Sequence, residues 1–189
     1  MVESVAPGGL EQVREFVNTW RLPNDTRLPE DRLPELIAVP TAWTAALPDV
    51  PTPRPPAQAA DSGGLAEFVE LRTALRESLG VERPVALERW LRRHPLRAEI
   101  SADPEAPALI LRPVDGSAVG HLLALVAEAV RAGQWARLKA CPDCAWVFYD
   151  HSRNGGRRWC AMSAGGPDGR GCGSIAKVRA YRERKRDHA

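Results

Sequence analysis

All four cysteines of this 189-residue chain fall within 32 positions near its C-terminal end, in the order Cys141-x2-Cys144-x15-Cys160-x11-Cys172. No other feature constrains the fold as strongly. A two-residue spacer such as Pro142-Asp143 lets the backbone turn so that both sulfurs face one point. Amides in that turn can then donate to the thiolates. Cys160 and Cys172 would close a tetrahedron from a second loop and from the start of a last helix. Four protein ligands leave no open position, so Cys141, Cys144, Cys160 and Cys172 read as a structural Zn2+ site rather than a catalytic one. A C-x2-C redox pair would want a βαβ context and would leave Cys160 and Cys172 unexplained. An iron–sulfur cluster accepts the same four thiolates, and that alternative stays open. His151 or His188 could replace one cysteine, but the four-cysteine set is the simpler assignment.

Zinc binding at such sites contributes on the order of 10 kcal/mol or more. The segment after Cys141 has few aliphatic residues, so metal is expected to be required for its order. Chelation is expected to unfold residues 141–189 and to leave the preceding body intact.

The formal net charge of +2 hides an asymmetry. Residues 137–189 hold 12 Lys/Arg against 5 Asp/Glu, and the remainder holds 14 against 19. An acidic body with a basic tail is the layout of a chain whose one end meets a polyanion. The N-terminal MVESVAPGGLEQVREF lacks the basic start and apolar run of a signal peptide. No stretch approaches the roughly 18 consecutive apolar residues of a membrane span. The expectation is a cytoplasmic protein with no membrane partner, in which clustered cysteines are metal ligands rather than disulfides.

Along the body, Leu10, Val13, Phe16, Val17 and Trp20 recur at helical spacing. The proline-rich RLPNDTRLPEDRLPEL reads as a loop. Residues 35–46 read as a short helix that Pro40 breaks or kinks. Residues 47–57, with five prolines, read as a surface connection. Asp61 or Ser62 is expected to cap a helix carrying Leu65, Phe68, Val69, Leu75 and Leu79, which Gly80 ends. A further helix spans about residues 84–93, with Leu87, Trp90 and Leu91 on its apolar face. Segments 97–102 and 108–112 read as a β-hairpin. From Ser117 a helical pattern runs through Val119, Leu122, Leu123, Val126 and Val130 towards Trp135 and Leu138, feeding the first cysteine directly. His94 and His121, with no acidic or cysteine cluster at metal spacing, read as helix-face histidines. No phosphate-cradling glycine loop, GxSxG motif or local acid–base constellation is present, and the expectation is that the chain is not an enzyme.

Between the cysteines, Trp146 and Phe148 share one side of an alternating strand, and Val147 and Tyr149 the other. Trp146 and Trp159 are expected to pack over the metal. Ser152, Arg153, Asn154, Arg157 and Arg158 flank a glycine turn and suit phosphate contacts. Ser174 is expected to cap a last helix reaching about Arg186. On it, Arg179, Arg182 and Arg186 fall within about 60° of one another. Lys177 and Arg184 face elsewhere, and Val178 and Tyr181 are expected to pack back onto the metal module. Such a helix suits a DNA backbone or groove.

At these residues the chain resembles the CGNR-type zinc-finger proteins, which are regarded as bacterial stress-induced transcriptional regulators. The resemblance rests on Cys141-x2-Cys144-x-Trp146-x-Phe148, Asp150-x-Ser152-Arg153-Asn154, Arg157-Arg158-Trp159-Cys160-x-Met162, and Cys172-Gly173 with Lys177. Phe16-Val17-Asn18-Thr19-Trp20 is similar to the opening motif of the ABATE domain that usually precedes this finger. Two departures stand out. Ser174 and Ile175 replace the family's Asn and Arg, and the spacer from Cys160 to Cys172 is expanded by SAGGPDGRG. That inserted loop could carry Arg170 to a phosphate.

The resemblance implies an α+β chain in two parts. Residues 1–136 would form an ABATE-like, mostly helical domain with a β-hairpin, open to a small-molecule or protein effector. Residues 137–189 would form a small treble-cysteine-loop zinc module ending in a basic helix. The implied function is a DNA-binding transcriptional regulator. The alternative is a zinc-stabilised RNA-binding or protein-interaction module.

Overall fold

A computed structural model of the chain describes residues 5–23, 25–53, 64–105, 107–163, 169 and 171–187. The expected caps Asp61 and Ser62, the end of the proline-rich connection, Arg170 and His188 lie outside these residues. The architecture is α+β, with seven α-helices and three two-stranded antiparallel sheets among the described residues.

Helix α1 (Leu10–Val17) turns Leu10, Val13, Phe16 and Val17 inward, as their spacing predicts. It stops three residues before Trp20, which instead opens strand β1 (Trp20–Arg21), paired with β2 (Glu30–Asp31). That pair lies where the prolines read as plain loop. Tertiary contacts hold it. Arg72 grips Asp31 with two hydrogen bonds of 2.6 Å and also donates to the Thr19 hydroxyl. Pro40 does break the next helix, giving α2 (Leu33–Ala38) and α3 (Pro40–Ala46).

Helix α4 (Leu65–Glu77) begins after Gly64, and α5 (Glu88–Arg93) follows a 3-10 turn at Val85–Leu87. Strands β3 (Leu96–Ile100) and β4 (Leu109–Pro113) form the expected hairpin. Ser117 caps α6 (Ala118–Arg131) by accepting from the Gly120 amide at 2.9 Å.

One core joins these elements. Phe68 sits edge-on to both Phe16 and Trp43, with ring centroids 6.2 and 5.5 Å away. Leu71, Leu75, Leu122 and Leu123 complete its centre. The buried indoles of Trp43 and Trp135 donate to the Val50 and Ser78 carbonyls, each at 3.0 Å.

Two expectations fail here. First, α6 does not run on into the first cysteine. It ends at Arg131, where Gly133 (φ +68°) takes the left-handed conformation that terminates helices. A 3-10 turn at Trp135–Arg137 then leads into strand β5 (Leu138–Ala140). Second, His94 is not a helix-face residue. It is buried at the end of α5, with Nδ1 2.8 Å from Asp115 Oδ2 and Nε2 3.3 Å from Glu67 Oε1. Its ring stacks on Trp90, so it ties α4, α5 and the turn before α6 together. His121 does lie on a helix face, its Nδ1 2.9 Å from the Ser117 carbonyl. No helix among the described residues is long and apolar enough to cross a membrane.

Candidate metal centre

Strand β5 pairs with β6 (Val147–Tyr149), and the loop between them carries Cys141 and Cys144. The loop is a tight knuckle. The Ala145 amide donates to the Cys141 carbonyl at 2.8 Å, and the Cys141 amide to the Trp146 carbonyl at 2.9 Å. Closing it requires Ala145 at φ +58°, a conformation costing about 1–2 kcal/mol for an L-residue.

Side-chain alternation makes β6 a wall between two cores. Val147 and Tyr149 join the body core, whereas Phe148 faces the cysteines. Trp146, Trp159 and Ala161 complete the shell around the four sulfurs, as expected for the two tryptophans.

Cys160 follows the loop after β6, and Cys172 opens helix α7 (Cys172–Asp187). Ser174 is therefore not the helix cap. It sits within the first turn, where its hydroxyl and amide both donate to the Met162 carbonyl. Gly173 lies so close to Met162 that a Cβ there would collide with its sulfur.

All four sulfurs lie within 4.8 Å of one another and all four cysteines are buried. Cys144 and Cys160 are 3.5 Å apart at sulfur, and Cys160 and Cys172 are 3.6 Å apart. Such a cluster resists accumulating charge on its own. Thiol hydrogen bonds from Cys144 and Cys160 push the Cys141 value far down, which favours one thiolate. Donation to Cys141 raises Cys144, and donation to Cys141 and Cys144 raises Cys160. Burial, reinforced by charge on Cys144 and Cys141, raises Cys172. Four ionised sulfurs at this spacing need a cation at their centre, and the donor set fits a metal ion.

The loop from Asp150 to Arg158 is built around a buried ion pair absent from the sequence-derived site. Asp150 is fully buried and accepts from Lys139 Nζ (2.8 Å) and from the Ser152 and Arg157 amides (2.9 and 2.8 Å). Burial opposes its charge, but these donors outweigh it and hold the carboxyl well below the usual range. Lys139 also donates to the Gly155 and Arg157 carbonyls. Arg137 donates to those of Asp150, Ser152 and Arg153. Alternation along a three-residue strand gave no hint that Lys139 turns inward.

The nucleic-acid candidates separate into two groups. Ser152, Arg153, Asn154, Arg158, Lys177, Arg179, Arg182 and Arg186 are exposed. Arg157 is not an outward residue. Its guanidinium donates to the Trp159 (2.8 Å) and Cys160 carbonyls and lies over the Phe148 ring, 5.0 Å from the centroid. Arg179, Arg182 and Arg186 line one open cleft along α7 with Glu183 and Lys185. Arg179 also reaches Asp143 Oδ1 at 3.1 Å. Val178 and Tyr181 do not pack onto the metal module: they are 48% and 62% exposed.

No curated protein matches the chain. Residues 137–185, which span all four cysteines and about a quarter of the chain, match the family model of the CGNR zinc finger.

Proposed function

We propose that this chain is a DNA-binding transcriptional regulator whose nucleic-acid-binding segment is held in shape by structural Zn2+. Four thiolates on a single ion with bonds of about 2.3 Å stand about 3.8 Å apart, close to the sulfur separations here. An iron–sulfur cluster distributes its cysteines over several irons and would need them further apart. With all four positions taken by protein, the metal has no site for substrate, and its role is architectural.

The observation that carries the DNA reading is helix α7. It leaves the metal site at Cys172 and presents Lys177, Arg179, Arg182, Arg184, Lys185 and Arg186 to solvent. Arg153 and Arg158 add exposed charge from the loop before Cys160. An exposed helix with basic side chains on several sides suits phosphate contacts around a groove. The ABATE-like body would supply effector sensing or assembly.

A second reading is favoured by Val178 and Tyr181, an apolar and an aromatic residue exposed on the same helix. They suit base stacking in RNA or a protein contact.

Fluorescence anisotropy with a random-sequence duplex tests the proposal. Binding should weaken linearly in log–log form with salt, with a slope of about −0.9 per phosphate neutralised. The double substitution of Arg182 and Arg186 to Ala should flatten that slope and leave the fold unchanged. Salt-independent binding, or equal binding by the variant, would refute it.

A further inference from the structure

The knuckle that carries Cys141 and Cys144 is gripped from the body at alternate residues. The Asp143 carbonyl accepts from Arg27 at 2.7 Å, the Ala145 carbonyl from Arg76 at 2.6 Å, and the Val147 carbonyl from Asn18 at 2.9 Å. Asn18 makes two bonds, because its Oδ1 also accepts from the Val147 amide at 2.8 Å. One side-chain amide thus pairs both polar groups of Val147, as a neighbouring strand would. It covers the outer edge of β6 where β5 does not reach.

Two of the gripping side chains, those of Asn18 and Arg76, are themselves fixed. Asn18 is fully buried, and its own amide donates to the Arg14 carbonyl at the end of α1. Arg76 also donates to the Val17 carbonyl at 2.9 Å and lies over the Trp20 ring, 4.7 Å from the centroid. Burial, and then the nearby Arg72 charge, lower its value to about 10, so it remains cationic at neutral pH. The strained Ala145 peptide is therefore held by a cation anchored in α4. Above it, the Arg14 guanidinium stands 5.9 Å from the centre of the Trp146 ring, part of the shell around the sulfurs.

We infer that Asn18, Arg27 and Arg76 are positioning residues for the metal site, through which the body sets metal affinity. A free C-x2-C loop must order itself when metal binds. Here the body holds the loop in its ligating shape beforehand, so less ordering entropy is lost on binding. Outer-shell partners that orient ligands typically change metal affinity by about 10–100-fold, and these act on the backbone beside and between the ligands instead of on the sulfurs. Linkage is reciprocal: what the body does for the metal, the metal does for the end of α1 and for α4. This extends the earlier expectation that chelation unfolds only residues 141–189, because Asn18 and Arg76 lose their partners when the knuckle loosens.

The inference rests on the metal reading, and Co2+ separates the two. The full chain and its Asn18→Leu and Arg76→Met variants would be titrated with Co2+ against a chromophoric chelator. Leu33→Ala, a core truncation in α2, serves as a control for lost stability. The wild-type chain should show the visible absorption of a four-thiolate tetrahedral Co2+ site. The Asn18 and Arg76 variants should show the same absorption with affinity lower by roughly tenfold or more, and the control should bind as wild type. Equal affinity in Asn18→Leu, or an equal loss in Leu33→Ala, would overturn the positioning role. Absence of the four-thiolate absorption in the wild-type chain would overturn the metal reading and this inference with it.

Discussion

Substituting Asp150 by Asn should cost about 3 kcal/mol of stability. The side chains are nearly the same shape, so the change removes charge and one acceptor without opening a cavity. Asp150 has no exposed surface and takes donors from Lys139, Ser152 and Arg157. Lys139 and the Arg157 amide share Oδ2, so an amide oxygen there could still accept from both without charge, but the NH2 group then points at the Ser152 amide, which had donated to Oδ1. Breaking a buried ion pair costs about 3–5 kcal/mol. Lys139 retains 22% side-chain exposure and its carbonyl partners, which places this pair at the lower end. The assay is urea unfolding of the metal-loaded protein followed by tryptophan fluorescence. A loss below about 1 kcal/mol, the scale of an ordinary neutral hydrogen bond, would refute the claim that this ion pair organises the loop.

The same pair has a pH signature. Its carboxylate value is depressed in the native state, so its stabilisation is fully present above the unfolded value of about 3.9 and fades as pH falls through the native one. The gap between wild type and Asp150→Asn should therefore be constant from about pH 5 upward and narrow progressively as pH falls below about 4. Arg157→Ala and Arg158→Ala should diverge. The first removes donors to the Trp159 and Cys160 carbonyls and should lower the melting temperature; the second should leave melting unchanged and reduce the salt slope of duplex binding by about one. Identical behaviour of the two would show that the inward placement of Arg157 is without consequence. Cys160→Ala should lose metal and the order of the module together, measured by metal content and amide exchange; retained protection around residues 147–160 would contradict this.

Much of the architecture was legible because it follows from periodicity. Most of the apolar stripes of α1, α4 and α6, the Pro40 break and the β3–β4 hairpin lie where the residue pattern puts them, though Trp20 falls in β1, Leu79 lies past the end of α4 and Leu65 stands exposed. The four cysteines meet, as their spacing requires. What pattern could not supply were features made by distant partners. Strands β1 and β2 exist where prolines read as loop, held by Arg72 on Asp31. Lys139 and Arg157 carry charges that sequence assigns to the surface, yet both turn towards carbonyl oxygens of their own module. Asn18 looked like one letter of a motif, and only the fold shows that it pairs with Val147, 129 positions away. In the other direction, Val178 and Tyr181 looked like residues that pack onto the metal module but stand exposed on α7.

Under the proposed function, metal bound by Cys141, Cys144, Cys160 and Cys172 shapes a DNA-binding segment. The most direct measurement is sequence enrichment from a random duplex library by one protein preparation, split into metal-loaded and chelator-stripped halves, with metal content determined on both. The loaded half should hold about one zinc per chain and enrich a sequence, and the stripped half should do neither. No enrichment by a fully zinc-loaded chain, or the same enrichment after stripping, would contradict it.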